Sequence, residues 1–142
     1  MRYFGPSPNI ILLKNFYLNQ EEMMRSFRSM NVWEKAHQLA LRVYQETAKF
    51  PRSELYSLTS QVRNAASSIP SNIAEGCGRG SESELARFLQ IAMGSASELE
   101  YRILLARDLE YLPHANHSEL DARVVEVKRM LAPFINRLKS DH

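Results

Sequence analysis

A chain of 142 residues has the length of one domain, and its composition, 44% apolar and 24% charged, lies close to the soluble globular average. No run approaches the ~18 consecutive apolar residues of a membrane span, and the single cysteine, Cys77, excludes an internal disulfide and fits a reducing cytoplasm. The formal charge of +2 arises within residues 1–30, where Arg2, Lys14, Arg25 and Arg28 outnumber Glu21 and Glu22, so beyond that stretch basic and acidic residues cancel.

Residues 1–30 carry early breakers, Gly5, Pro6 and Pro8, and an apolar patch, IILLKNFYL, without helical or strand period. They read as a poorly ordered extension. The stretch lacks the basic start, long apolar core and small-residue cleavage site of a secretory signal, and Met23, Met24 and Met30 leave a start downstream of Met1 open.

From residue 31 to 140 the period is helical. Over Val32–Lys49 the apolar positions Val32, Ala36, Leu39, Val43 and Thr47 step by four and three, with Asn31 as a cap and Pro51 as the stop. A second helix over Ser53 to about Glu75 carries Leu55, Leu58, Val62, Ala65, Ile69 and Ile73. Pro70 deprives the Ala66 carbonyl of its donor there and predicts a bend. Gly76, Gly78 and Gly80 then supply backbone freedom for a turn, and Ser81 with Glu84 reads as an N-cap and its capping-box partner.

The third helix, about Ser81 to Glu110, presents Leu85, Phe88, Leu89, Ala92, Ala96, Leu99, Ile103 and Ala106 on one face, and its small run Gly94–Ser97 predicts a close helix approach. The fourth, about His117 to Lys139, steps through Leu120, Val124, Val127, Leu131, Phe134 and Leu138 as a heptad seam, with Pro133 expected to kink or shorten it. Short links favour antiparallel neighbours. The prediction is an all-α, antiparallel, up-down-up-down four-helix bundle.

Apolar residues exceed what one seam requires: Trp33, Tyr44, Tyr56, Ile91, Tyr101, Leu104 and Leu105 fall beside or opposite the stripes. Two outlets exist, self-association or a larger monomer core with rotated helices.

The blocks VWEKAHQLALRVYQETAKFP and LTSQVRNAASSIPSNIAEGCGRG, with the third helix behind them, carry a specific resemblance. Over about residues 31–138 the chain resembles the 23S rRNA intervening-sequence proteins, a family of small bacterial four-helix bundles related to the accessory variability determinant of diversity-generating retroelements. The positions that match are Trp33, Lys35, Ala36 and His37, then Thr59, Gln61, Arg63, Ala65, Ile69, Pro70, Asn72, Ile73, Glu75 and Gly76, then Arg79, Phe88 and Gly94–Ser95. Cys77 stands where an aromatic residue is common in the family. The resemblance implies a homopentamer, and nucleic-acid binding in the related retroelement protein.

The polar members of these blocks admit two roles. Arg63, Asn72, Glu75 and Arg79 could tie the bent helix to a neighbour through charge-assisted hydrogen bonds. As a nucleic-acid-binding set, Lys35, Arg42, Arg63, Arg79 and Arg87 would have to share one surface, which five-fold repetition would turn into a large basic patch. Glu34, Glu46, Glu82 and Glu84 repeat with them, so spatial separation decides.

Catalytic and metal residues are not indicated. His37, His114, His117 and His142 combine with no carboxylate or cysteine at a diagnostic spacing, and the HxxH pair His114 and His117 reads as a solvated loop. Cys77 has no adjacent base, although Arg79 and the coming helix N-terminus could lower its pKa. GCGRGSES follows a helix and lacks the lysine-serine ending of a phosphate loop. The expectation is a cytoplasmic, non-enzymatic, cofactor-free homo-oligomer that binds RNA or DNA through a symmetric basic surface. The other reading is a scaffold docking a polymerase or ribosomal component.

Overall fold

The computed structural model describes residues 26–140. The expectation of poor order up to position 25 lies outside the described residues; residues 26–30 carry a 3-10 turn, Phe27–Ser29, and Phe27 and Met30 pack against the core. Four α-helices follow: α1 Asn31–Thr47, α2 Leu58–Gly78, α3 Glu82–Asp108 and α4 His114–Ser140, with a second 3-10 turn at Arg52–Glu54. Among the described residues there is no strand, and no helix is long and apolar enough to cross a membrane.

Each helix packs on its neighbours in sequence and α1 closes the ring on α4, while the backbones of the diagonal pairs stay more than 8 Å apart, Cα to Cα. The pairings run antiparallel. Between α1 and α4, Glu46 meets Asn116, Arg42 meets Glu119 and Lys35 meets Glu126, one sequence ascending as the other descends. Arg102 Nη1 donates to Gln61 Oε1 at 2.7 Å, and the Ser68 and Ser95 hydroxyls lie 2.9 Å apart, which fixes α2 against α3 in the same sense. The core is built from most of the apolar positions that the period marks, with Leu39, Ile69, Ile73, Leu89, Leu99, Ile103, Leu120 and Leu131 fully buried, but Leu55, expected on the stripe of the second helix, precedes that helix and is exposed. Each such side chain contributes about 1.5–3 kcal/mol by leaving water.

Local chemistry moves several boundaries. α2 begins at Leu58, not Ser53, because the Glu54 carboxylate caps it: Oε2 accepts from the Ser57 hydroxyl at 2.7 Å and the Leu58 amide at 3.3 Å. These hydrogen bonds hold the Glu54 carboxyl below the ordinary glutamate range. α2 continues through the buried Pro70 to Gly78, and just beyond the proline the Asn72 carboxamide donates to the Ser68 carbonyl at 2.8 Å.

Of the three turn glycines only Gly80 has positive φ, at 85°. Gly76 serves a close approach instead: a Cβ there would lie 2.9 Å from the Phe88 Cβ. In the small run of α3 the close approach is made by the buried Ala96 and by Ser95, whose hydroxyl meets that of Ser68 on α2, while Gly94 faces open space. Ser81 Oγ caps α3 by accepting from the Glu84 amide at 3.2 Å. The reciprocal half of the box is replaced, as the Glu84 carboxylate accepts from Arg87 Nε at 2.7 Å.

α3 ends at a Schellman motif. Glu110 takes φ 67°, its amide donates to the Arg107 carbonyl and that of Tyr111 to the Ala106 carbonyl, both at 2.9 Å. α4 starts at His114, so His114 and His117 occupy its first turn and not a loop. Past Pro133 the seam passes through Ile135 where the heptad names Phe134, which is only partly buried.

Candidate nucleic-acid interface

The five basic positions picked from sequence fall into three places. Lys35 and Arg42 lie on the α1–α4 edge. Lys35 Nζ is 3.0 Å from Glu126 Oε1. Arg42 grips Glu119 with both Nε and Nη2 at 2.9 Å, and Nη2 also donates to Glu46 Oε1 at 3.1 Å. Glu46 is buried and accepts a further hydrogen bond from Asn116 Nδ2 at 2.9 Å. The bidentate pairing holds the Glu119 carboxyl below the ordinary glutamate range and raises the Arg42 guanidinium above its ordinary value.

Arg63 stands apart on the α1–α2 edge. Its guanidinium lies 4.9 Å from the Tyr44 ring centroid, and Nε donates to Thr47 Oγ1 at 2.8 Å, tying α2 to the end of α1.

Arg79 and Arg87 are brought together. Both lie over the Phe88 ring, at 4.9 and 4.5 Å from its centroid. Arg87 is hydrogen-bonded to Glu84, and Arg79 lies 3.9 Å from Glu75. The Glu84 carboxyl is held below its ordinary value by that hydrogen bond.

This end of the bundle, where α1 and α3 begin and α2 and α4 finish, holds cations that periodicity missed. Arg28 lies 5.2 Å from the Phe27 centroid and Arg137 5.1 Å from that of Phe134. Neither has an ion pair among the described residues, nor does Lys139. The phenylalanine–arginine spacing of three at Phe134 and Arg137 is the one signal that marks such a pair in sequence, since i and i+3 share a helix face.

The sequence matches the 23S rRNA-intervening sequence protein family over residues 28–133. The chain belongs to that family. It is also similar in structure to a protein of unknown function from the S23 ribosomal protein family of Bacteroides thetaiotaomicron VPI-5482: identity is 23%, the TM-score is 0.69, and the match covers 73% of this chain and 97% of that one. That likeness concerns the fold. No curated protein matches.

In this 23S rRNA-intervening sequence protein the remaining candidates take structural places. Cys77 is buried and its Sγ donates to Met30 Sδ at 3.2 Å, joining the end of α2 to the start of α1. Burial pushes the Cys77 thiol up, the reverse of what Arg79 and a helix N-terminus would do, so it rests as a neutral thiol. His37 stacks on Trp33 with centroids 5.0 Å apart. His117 is buried with Nε2 unpartnered, and among the described residues no three His, Cys, Asp or Glu side chains are grouped to hold a metal.

A cavity of about 400 Å³ opens at the same basic end, between the starts of α1 and α3 and the finish of α4. Asn31, Val32 and Leu85 line it with Phe134 and Arg137. A second groove at this end, between α3 and α4, is lined by Arg87, Leu138 and Lys139.

Proposed function

We propose that this family member is a non-enzymatic, cytoplasmic, self-associating bundle that binds nucleic acid through the end where α1 and α3 begin. The observation that carries the reading is the seating of guanidinium groups on rings there: Arg79 and Arg87 on Phe88, Arg137 on Phe134. A guanidinium held against an aromatic face loses little conformational freedom on binding; Arg87 and Arg79 exchange Glu84 and Glu75 for a phosphate oxygen, while Arg137 has no ion pair among the described residues to give up. Arg28, Arg137 and Lys139, without ion pairs among the described residues, flank that set.

Lys35, Arg42 and Arg63 contribute less in this reading because they lie on two other edges of the bundle, held there by Glu126, Glu119 and Thr47. Self-association, as a homopentamer by family resemblance, repeats the basic end and converts a near-neutral subunit into a multivalent surface. The family's name refers to sequences intervening in 23S rRNA, which makes structured RNA the first ligand to test.

Filter binding of a structured RNA across a salt series tests the proposal. Affinity falls as salt rises, with a log–log slope that becomes shallower by roughly one for each phosphate contact removed in Arg79→Ala and Arg87→Ala. No retention at the lowest salt overturns it.

A scaffold reading has its own support, the outward side of α3, where Ile91, Tyr101 and Leu104 are exposed. A polymerase or ribosomal component docked there would survive nuclease treatment in a pull-down and be lost in Tyr101→Lys.

A further inference from the structure

We infer that the cavity at the basic end accepts an unstacked nucleobase, so that the nucleic acid engaged is a single strand or loop and not a continuous duplex. This rests on the nucleic-acid reading above and adds to it the class of ligand.

The cavity's volume of about 400 Å³ falls in the range of small-ligand sites, ~300–1,000 Å³, and is ample for one planar base. Its walls are apolar: Val32 from α1, Leu85 from α3, Met130 and Phe134 from α4. Such walls suit the faces of a base, which are apolar while its edges are polar, and a methionine thioether beside an aromatic ring adapts to a planar guest. Two polar groups converge on this surface. The Asn31 carboxamide has no hydrogen-bond partner among the described residues, and it offers one acceptor and two donors, the complement of a base edge. Arg137 sits on Phe134 at the cavity with no ion pair among the described residues, in reach of the phosphate attached to a base lodged inside.

An aliphatic chain would fill the same walls and leave both polar groups unused. A polymer also has Arg87 and Lys139 to meet, which line a second groove between α3 and α4 at the same end of the bundle. A paired, stacked base cannot enter without being extracted, at a cost of a few kcal/mol that a single strand avoids.

The test compares a single-stranded oligonucleotide carrying 2-aminopurine with the same strand annealed to its complement, both titrated with the full chain at low salt. The expected result is about tenfold tighter binding of the single strand, with a change in 2-aminopurine fluorescence as the base leaves its stack. Met130→Trp fills the cavity and is expected to abolish the preference while leaving duplex binding in place. Asn31→Leu, at an exposed position, is expected to weaken single-strand binding without altering the circular dichroism, so an unfolded Met130→Trp does not shelter the idea. Equal affinity for the two forms, or a preference untouched by Asn31→Leu, overturns the base site and leaves phosphate binding standing. Absence of binding to either form at low salt removes the parent reading as well.

Discussion

A methyl group on Gly76 would lie 2.9 Å from the Phe88 Cβ and 3.1 Å from Leu85 Cδ1, so α2 and α3 meet where only hydrogen fits. The obstructing atom belongs to the base of the Phe88 side chain and cannot swing aside. Gly76→Ala therefore forces the helices apart and should cost about 1–3 kcal/mol in urea unfolding. Gly78→Ala, two residues on in open space, should be neutral or stabilising by up to about 1 kcal/mol. Equal effects at the two glycines would show that the close approach is not what Gly76 provides.

Glu110 holds φ at 67° to close the Schellman motif after α3, a conformation that costs a side-chain-bearing residue about 1–2 kcal/mol and glycine almost nothing. After the extra backbone entropy that glycine loses, Glu110→Gly should raise stability by about 0.5–1 kcal/mol. A fall in the urea midpoint would contradict the assignment.

The Thr59 hydroxyl is buried without a hydrogen-bond partner among the described residues. Removing an unsatisfied buried polar atom while keeping the shape recovers its desolvation cost, so Thr59→Val should stabilise the bundle by about 1 kcal/mol. Thermal unfolding of the two proteins at one pH decides it.

Glu54, Glu84 and Glu119 all have folded-state pKa values below the ordinary one, because each carboxylate accepts hydrogen bonds, from Ser57 and the Leu58 amide, from Arg87 and from Arg42 respectively. Their contribution to stability is present above the unfolded-chain glutamate pKa of about 4.3 and is lost as pH falls through the lower folded values. The melting temperature should therefore drop below pH ~4.3, and Glu119→Gln should flatten that limb of the curve. An acid limb of unchanged steepness would remove Glu119 from the account.

The outward side of α3 exposes Ile91, Tyr101 and Leu104, with Gly94 open among them. If copies of the chain meet there, the parent protein sediments as an oligomer of its 16.4 kDa subunit and Tyr101→Lys sediments as a monomer with unchanged helical content. A monomeric parent at micromolar concentration ends the self-association part of the proposal.

The helices were legible because burial imposes a period that composition cannot hide. Val62, Ile69 and Ile73 of α2, or Leu120, Val124, Val127 and Leu131 of α4, recur as core positions at the spacing that the sequence displays. Boundaries were less legible where a distant or unusual group did the capping. Glu54 starts α2 through its carboxylate, and Glu110 ends α3 in a conformation for which glycine is the ordinary signal. Within the basic set, Arg79 and Arg87 converge on one ring, but nothing in their spacing announces that Lys35 and Arg42 face carboxylates on α4.

By itself the sequence determined four amphipathic helices and their order around the ring, since apolar period and short links are properties of neighbouring residues. Which glycine admits a helix, which arginine has an ion pair and where a cavity opens were decided only when α1 and α4, far apart along the chain, came side by side with α2 and α3. Charge pairing and close approach depend on distance in space, and a linear order of residues does not contain that distance.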